Sequence, residues 1–171
     1  MGVANDNAGR KATVRRARFH PALAVALAAL IAGTLDITDA IIAWSFKGAT
    51  ALRIFQSVAR GVLGEAAFEG GIPTAVLGGA LHYFISLVAA AAYYLAALRA
   101  PALVRRPVVF GLLYGAAVFI VMNYAVVPLS AVGRFPSMEP LYYANAVFAN
   151  VALFGLPIAL VISRFLTPRA G

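Results

Sequence analysis

The sequence has no cysteine and few charged residues. Of its 171 residues, 12% are charged and 63% are hydrophobic, whereas about a quarter of the residues in a typical soluble domain are charged. The lack of cysteine excludes disulfide bonds and thiolate metal ligands. The lack of charge excludes an ordinary soluble domain, and together with the apolar content it predicts a membrane protein.

Acidic residues and histidines are also scarce, since the chain has six of the former and two of the latter. No histidine pair has the spacing of a metal site, and the chain has no nucleophile motif and no phosphate-binding glycine loop. One histidine with two carboxylates can hold a metal as a facial set, but without a second histidine this signal is weak. We therefore expect no cofactor, and the question of an enzyme stays open with little in its favour.

Basic residues outnumber acidic ones and give a formal net charge of +8. Because they lie in short clusters between long apolar segments, they indicate membrane topology and contact with anionic lipid rather than binding to nucleic acid. Ten of the 14 lie in residues 1–20, 99–106 and 164–171, and four lie in 47–72 and 131–140. Cytoplasmic loops are enriched in Lys and Arg, so both termini are predicted to be cytoplasmic.

Four segments are long and apolar enough to cross a hydrocarbon core, which takes a helix of about 20 residues. Backbone groups in lipid must be hydrogen-bonded within the segment, and the chain lacks the alternating strands of a transmembrane barrel. The predicted fold class is therefore all-α, a single polytopic membrane domain over residues 21–167 with four transmembrane helices. The predicted spans are 22–46, 73–98, 107–130 and 141–165, flanked by a basic cytoplasmic tail at 1–20 and a short cytoplasmic tail at 168–171.

Two features are predicted on the outer side of the membrane. Trp44, near the end of the first span, fits an aromatic belt with Tyr142 and Tyr143 at the start of the fourth. Residues 50–68 are the one clear amphipathic stretch and predict an interfacial helix, with a lid or re-entrant segment over a cavity as the alternative. Its predicted apolar face is Ala51, Leu52, Phe55, Val58, Ala59, Val62, Leu63 and Ala66, and its polar face is Arg53, Gln56, Ser57, Arg60 and Gly64.

The first span carries two carboxylates in the stretch "GTLDITDAIIAW", at Asp36 and Asp39. An aspartate at the centre of a membrane helix costs about 2.5 to 3.5 kcal/mol, so two of them make this span marginal without partners or water. One interpretation places the hydrocarbon span at 21–40, with Asp39 at the outer interface. The other makes the two acids part of a functional site, which is the default for ionisable residues inside a membrane.

The strongly polar side chains of the four spans share one layer. Counted from the outer end of each span, they lie about seven to ten residues in, at about 1.5 Å of depth per residue. His82 is predicted to be the first partner of Asp36 or Asp39, with Asn123 and Asn150 as hydrogen-bonding neighbours. A buried histidine satisfied by a carbonyl is the alternative for His82, and it is favoured over a metal ligand. The candidate residues of this polar layer are Asp36, Asp39, His82, Asn123 and Asn150, whereas Asn145 lies about 140° around the helix from Asn150 and is predicted to face elsewhere.

Small residues and prolines predict how the spans pack. Gly78 begins a small and polar face of the second span that continues through His82, and Gly111 and Gly115 form a small-xxx-small pair in the third. Pro128 and Pro157 each remove a backbone donor and leave a carbonyl available for a partner. We expect the glycines to support close helix packing, within the chain or with a second copy.

Residues from about 26 to 160 resemble a group of small bacterial inner-membrane proteins of unknown function. The resemblance rests on "GTLDITDA", "ARGVLGEAAFEGG", "LGGALHYFI" and "GLLYGAAVFIVMNYAVVPLS", of which the last is the most specific. The chain is more distantly similar in layout to the four-span YagU-like family, whose members are longer. The resemblance implies a bacterial inner membrane and a four-helix layout, and it brings no catalytic residues.

Three functions are consistent with these patterns. The first is a small transporter or channel-like protein, homo-oligomeric in the bilayer, in which Asp36 and Asp39 bind a proton or cation from the outer side and His82 tunes their proton affinity. The second is a non-catalytic subunit or a stress-response or assembly protein, whose polar layer holds the helices in register. The third is a membrane enzyme acting on lipid or quinone. The ion or solute is not identified by the sequence.

Overall fold

A computed structural model describes residues 21–135 and 139–167, and within these residues the chain is helical with no strand. The predicted tails at 1–20 and 168–171 lie outside the described residues. The helices in chain order are α1 (Pro21–Ser45), α2 (Ala51–Leu63, followed by a 3-10 turn at Gly64–Phe68), α3 (Gly71–Arg99), α4 (Pro101–Arg105), α5 (Pro107–Leu129) and α6 (Pro140–Leu166).

Four of these helices are long and apolar enough to cross a membrane, namely α1, α3, α5 and α6. Each corresponds to one predicted span, with ends within two residues of the prediction, so the all-helical class with four spans is confirmed. Prolines mark where the helices begin, because a proline at the first helical position loses no hydrogen bond and has the helical φ already. The prolines at the first positions are Pro21, Pro101, Pro107 and Pro140.

The four long helices form one antiparallel bundle. Helix α1 packs against both α3 and α6, and α5 packs against α6. Helices α3 and α5 meet where Tyr93 and Tyr114 stack edge to face, with ring centroids 5.0 Å apart. The buried core is rich in alanine, as expected where helices pack in an apolar solvent by close van der Waals contact.

Glycines set the crossing of α5 and α6. A Cβ added at Gly115 would clash with the carbonyl oxygen of Asn150, and one added at Gly155 would clash with the backbone of Gly115. Gly111 lies one turn away and faces Ala159. The predicted pair Gly111 and Gly115 therefore contacts α6 of the same chain and is not free to meet a second copy.

Helix α2 packs on α3 through Phe55 and Ala59 of the predicted apolar face, together with Gln56 of the predicted polar face. A Cβ at Gly78 would overlap the carbonyl oxygen of Phe55, so the two backbones touch. Gln56, placed on the polar face by its periodicity, is 1% exposed because its Nε2 donates to the carbonyl oxygen of Gly71 at 3.0 Å. Leu52 and Val62 are exposed instead. The hydrogen bond to Gly71 on α3 thus buries a side chain that the periodicity of the sequence placed on the polar face.

The two ends of the bundle differ in chemistry. At the Trp44 pole, the ring of Trp44 packs on that of Tyr142 with centroids 4.8 Å apart. Lys47 Nζ lies 2.7 Å from Glu139 Oε1, and the same ammonium lies over the Tyr142 ring. These contacts join the end of α1 to the start of α6. At the opposite end, the arginine pole, the charged residues that the structure describes are Arg99, Arg105, Arg106 and Arg164.

Two adjacent glycines offer a test of the α2–α3 contact. Gly78→Ala should lower the free energy of unfolding by about 1 to 3 kcal/mol, because the new methyl group meets backbone that cannot rotate away. Gly79→Ala is the control, since its Cβ would make ordinary contacts with the Phe55 ring. Unfolding of both variants in detergent measures the difference, and equal stability would show that α2 is not fixed on α3 as described.

Candidate functional site

The two carboxylates of α1 face different neighbours. Asp36 and Asp39 are both half-buried, and three residues on a helix place them on adjacent but not identical directions. Asp39 points to α6, where Asn145 donates to it, and Asp36 lies within electrostatic range of His82 on α3. The acids therefore lie in different surroundings despite their spacing in the sequence.

Asp39 has a direct partner in another span. Asn145 Nδ2 donates to Asp39 Oδ2 at 2.7 Å, a hydrogen bond between α1 and α6. This overturns the expectation that Asn145 faces elsewhere. The signal that could have found it is depth, since Asp39 precedes the end of α1 by about as many residues as Asn145 follows the start of α6.

His82 is satisfied by the backbone of α1. Its Nε2 lies 2.8 Å from the carbonyl oxygen of Gly33 and donates to it, and a Cβ at Gly33 would press on His82 and Ser86. No hydrogen bond joins His82 to either aspartate among the described residues. The predicted direct pairing is therefore replaced by a carbonyl contact, with Asp36 nearby as a charged neighbour.

Asn123 and Asn150 donate to their own helices rather than to the aspartates. Asn123 Nδ2 donates to the carbonyl oxygen of Phe119 at 2.9 Å, and Asn150 Nδ2 donates to that of Ala146 at 3.0 Å. In a regular α-helix these carbonyls would accept from the backbone N–H four residues later, which is the N–H of each asparagine itself. The predicted contacts with the acids are therefore absent from the described hydrogen bonds.

Both asparagines lie in wide helical turns that precede a proline. Each asparagine lies in a π-helical segment, Met122–Val126 in α5 and Ala149–Gly155 in α6. Each segment ends two residues before a proline, Pro128 or Pro157, whose ring would clash with the carbonyl four residues earlier in a regular helix. A π turn shifts the bonding by one residue, and at its start each asparagine amide shares a carbonyl with a backbone N–H, that of Met122 on Phe119 and that of Ala149 on Ala146.

Of the two α1 carboxylates, Asp36 is the one without a hydrogen bond. In the part of the chain that the structure describes, no donor is bonded to its carboxylate, and the titratable groups near it are His82 and Asp39. Neither the described acids nor the described histidine gathers into a group of three or more that could hold a metal ion. The facial set left open by the sequence is thus not assembled here, and the arrangement is that of one fixed carboxylate and one available carboxylate.

An apolar groove lies apart from these polar residues. It has a volume of about 380 Å³ and runs between α3 and α5. None of the five candidate polar residues lines it; its walls include Phe84, Val88, Tyr114, Val121 and Met122. The groove therefore offers no polar route to Asp36.

Comparisons with known proteins found no match from which a function could be inferred, so we infer one from the geometry described above. No protein-family model, curated protein or solved structure matches the chain. The resemblance to small bacterial inner-membrane proteins and the YagU-like family stays a prediction.

A double-mutant cycle tests the bond between α1 and α6. The coupling free energy between Asp39→Ala and Asn145→Ala should be about 0.6 kcal/mol and at most about 1.7 kcal/mol, the range for hydrogen bonds between membrane helices. The matched control is the cycle of Asp39→Ala with Asn150→Ala, for which we expect no coupling. Unfolding in detergent supplies the four stabilities of each cycle, and a larger coupling to Asn150 would contradict the assignment.

Proposed function

We propose that the chain is a small proton- or cation-linked transporter or channel-like protein of the membrane, with Asp36 as the ion-binding residue. The observation that supports this is the unpartnered carboxylate of Asp36 within an apolar spanning helix. Its neighbour Asp39 is anchored by Asn145 and serves as a fixed second charge.

The energetic argument concerns the charge of Asp36. A carboxylate in a spanning helix is costly, and a hydrogen bond from a neighbouring helix offsets part of that cost only for Asp39. Binding a proton or a cation neutralises the charge on Asp36 and lowers the cost for as long as the ion stays. Because Asp36 is half-buried and not sealed in the core, an ion can reach it without unfolding the bundle.

The location and orientation are part of the same proposal. Arginine is the charged residue of the arginine pole, whereas the Trp44 pole mixes Lys47 with Glu139, and cationic loops favour the cytoplasm. We assign the arginine pole and both termini to the cytoplasm of a bacterial inner membrane. Helix α2 then lies at the outer surface, with Leu52 and Val62 exposed to lipid.

A pathway through four spans calls for a second copy, because one bundle encloses little volume. The glycines at 78, 111 and 115 already contact helices of their own chain, so a homo-oligomer would use other surfaces. Helix α5 is the least buried of the four spans and is the surface we assign to that contact.

A non-catalytic role as a subunit or assembly protein is the second candidate. Three observations favour it, since His82, Asn123 and Asn150 are all satisfied inside the chain. The bond from His82 to α1, with that from Asn145 to Asp39, holds helices in register without moving an ion. The two candidates differ at Asp36, which a packing layer does not need.

Neutralising Asp36 separates the two roles. Asp36→Asn should abolish proton, sodium or potassium flux into proteoliposomes and raise the free energy of unfolding by up to about 3 kcal/mol, because it removes a charged aspartate from a membrane helix, where one costs about 2.5 to 3.5 kcal/mol. Glu69→Gln is the control, because it removes one acidic charge from an exposed position outside the spans. Loss of folding in Asp36→Asn, or unchanged flux, would favour the structural role.

Water access to Asp36 can be measured directly, because the chain has no cysteine. An impermeant maleimide added to intact cells should label Asp36→Cys. Leu35→Cys is the adjacent control on an exposed apolar position, where a thiol in lipid stays unreactive. Among cysteines placed at 36, 39, 82, 123 and 150, labelling at 39 alone would mark Asp39 as interfacial and end the transport proposal.

A further inference from the structure

A second cavity lies at the arginine pole, where α3 and α6 end beside the short helix α4. Its volume is about 560 Å³. Apolar side chains make most of its wall, including Leu98, Val104 and Leu166, and Arg105 is the charged residue that lines it. The cavity thus combines a hydrocarbon surface with one cationic group.

The charge around this cavity is of one sign. Arg99, Arg106 and Arg164 flank the same end of the bundle, and all are exposed. Within residues 21–135 and 139–167, the ion pairs are Lys47 with Glu139 and Arg60 with Glu65, so neither involves this pole. The guanidinium of Arg105 is therefore available to an anion from outside the chain.

The depth of the cavity fits the headgroup region of a bilayer. Helix α3 has 29 residues and is about 43 Å long at 1.5 Å per residue, whereas the hydrocarbon core is about 30 Å thick. Its last turn, which carries Leu98, therefore lies near the boundary between acyl chains and phosphate groups. Leu98 is 54% exposed and presents apolar surface to the acyl chains.

We propose that this cavity binds an anionic phospholipid, with its phosphate on Arg105 and the start of an acyl chain against Leu98, Val104 and Leu166. Arginine presents two parallel N–H donors to a phosphate, and basic pockets between membrane helices recognise anionic lipid headgroups. A free phosphate would use Arg105 but leave the apolar wall exposed. The site lies at the opposite pole from Trp44 and does not depend on ion transport.

Fluorescence quenching by brominated lipid tests the site. Trp44 is the single tryptophan of the chain, so Trp44→Phe gives a background into which Leu98→Trp places a reporter in the cavity wall. Val109→Trp is the matched control, because Val109 is also 54% exposed, lies near the same end of the bundle and does not line the cavity. Each reporter is measured in bilayers of mixed phosphatidylglycerol and phosphatidylcholine, with one of the two brominated.

At position 98 we expect phosphatidylglycerol to be preferred over phosphatidylcholine by about fivefold or more, the effect of one arginine near the surface. At position 109 the preference should be close to one. Arg105→Gln should remove the preference at 98, whereas Arg106→Gln, outside the cavity wall, should retain it. Equal selectivity at both reporters, or no effect of Arg105→Gln, would overturn the proposal.

Two further outcomes distinguish other occupants. If inorganic phosphate abolishes the preference, the site takes a free anion and the lipid assignment is wrong. If brominated lipid does not quench the reporter at 98 at all, protein covers the cavity and the assignment is also wrong. Should Leu98→Trp fail to fold, native mass spectrometry of the otherwise unmodified chain must show retained phosphatidylglycerol that Arg105→Gln loses, and its absence counts against the site.

Discussion

Close backbone contact is the constraint on which this bundle depends. Lipid tails are as apolar as leucine, so helices in a bilayer gain little from burying large side chains and associate through close packing. Gly115 against Gly155 brings α5 and α6 together, Gly33 receives His82 and Ser86 from α3, and Gly78 accepts the backbone of α2. These contacts fix the helix positions, and the helix positions fix which polar groups can meet.

The polar side chains follow from that packing. His82 reaches the carbonyl of Gly33 because the missing Cβ leaves room for the ring at this crossing. Asn123 and Asn150 donate within their own helices, to carbonyls at the start of the proline-linked π turns. With these groups occupied, none of them is left to bond Asp36, and the availability of that carboxylate is a consequence of the fold rather than of one residue.

The sequence was sufficient for the long elements and insufficient for the pairings. Length and hydropathy located four helices because a span must be about 20 apolar residues, and prolines marked several of their beginnings. The partner of Asp39 was missed because Asn150 was chosen by its depth and Asn145 was then set aside by its angle from Asn150, and because nothing in the sequence showed that Asn150 would bond Ala146. The burial of Gln56 was missed because its acceptor, the carbonyl of Gly71, belongs to another helix.

The spacing of the two acids explains why they diverge. Three residues along a helix advance about 4.5 Å and leave the side chains about 60° apart, which at the surface of α1 is the difference between facing α3 and facing α6. With this spacing, Asn145 holds Asp39 and cannot serve Asp36. The three-residue spacing of Asp36 and Asp39 therefore leaves one carboxylate bonded and the other available.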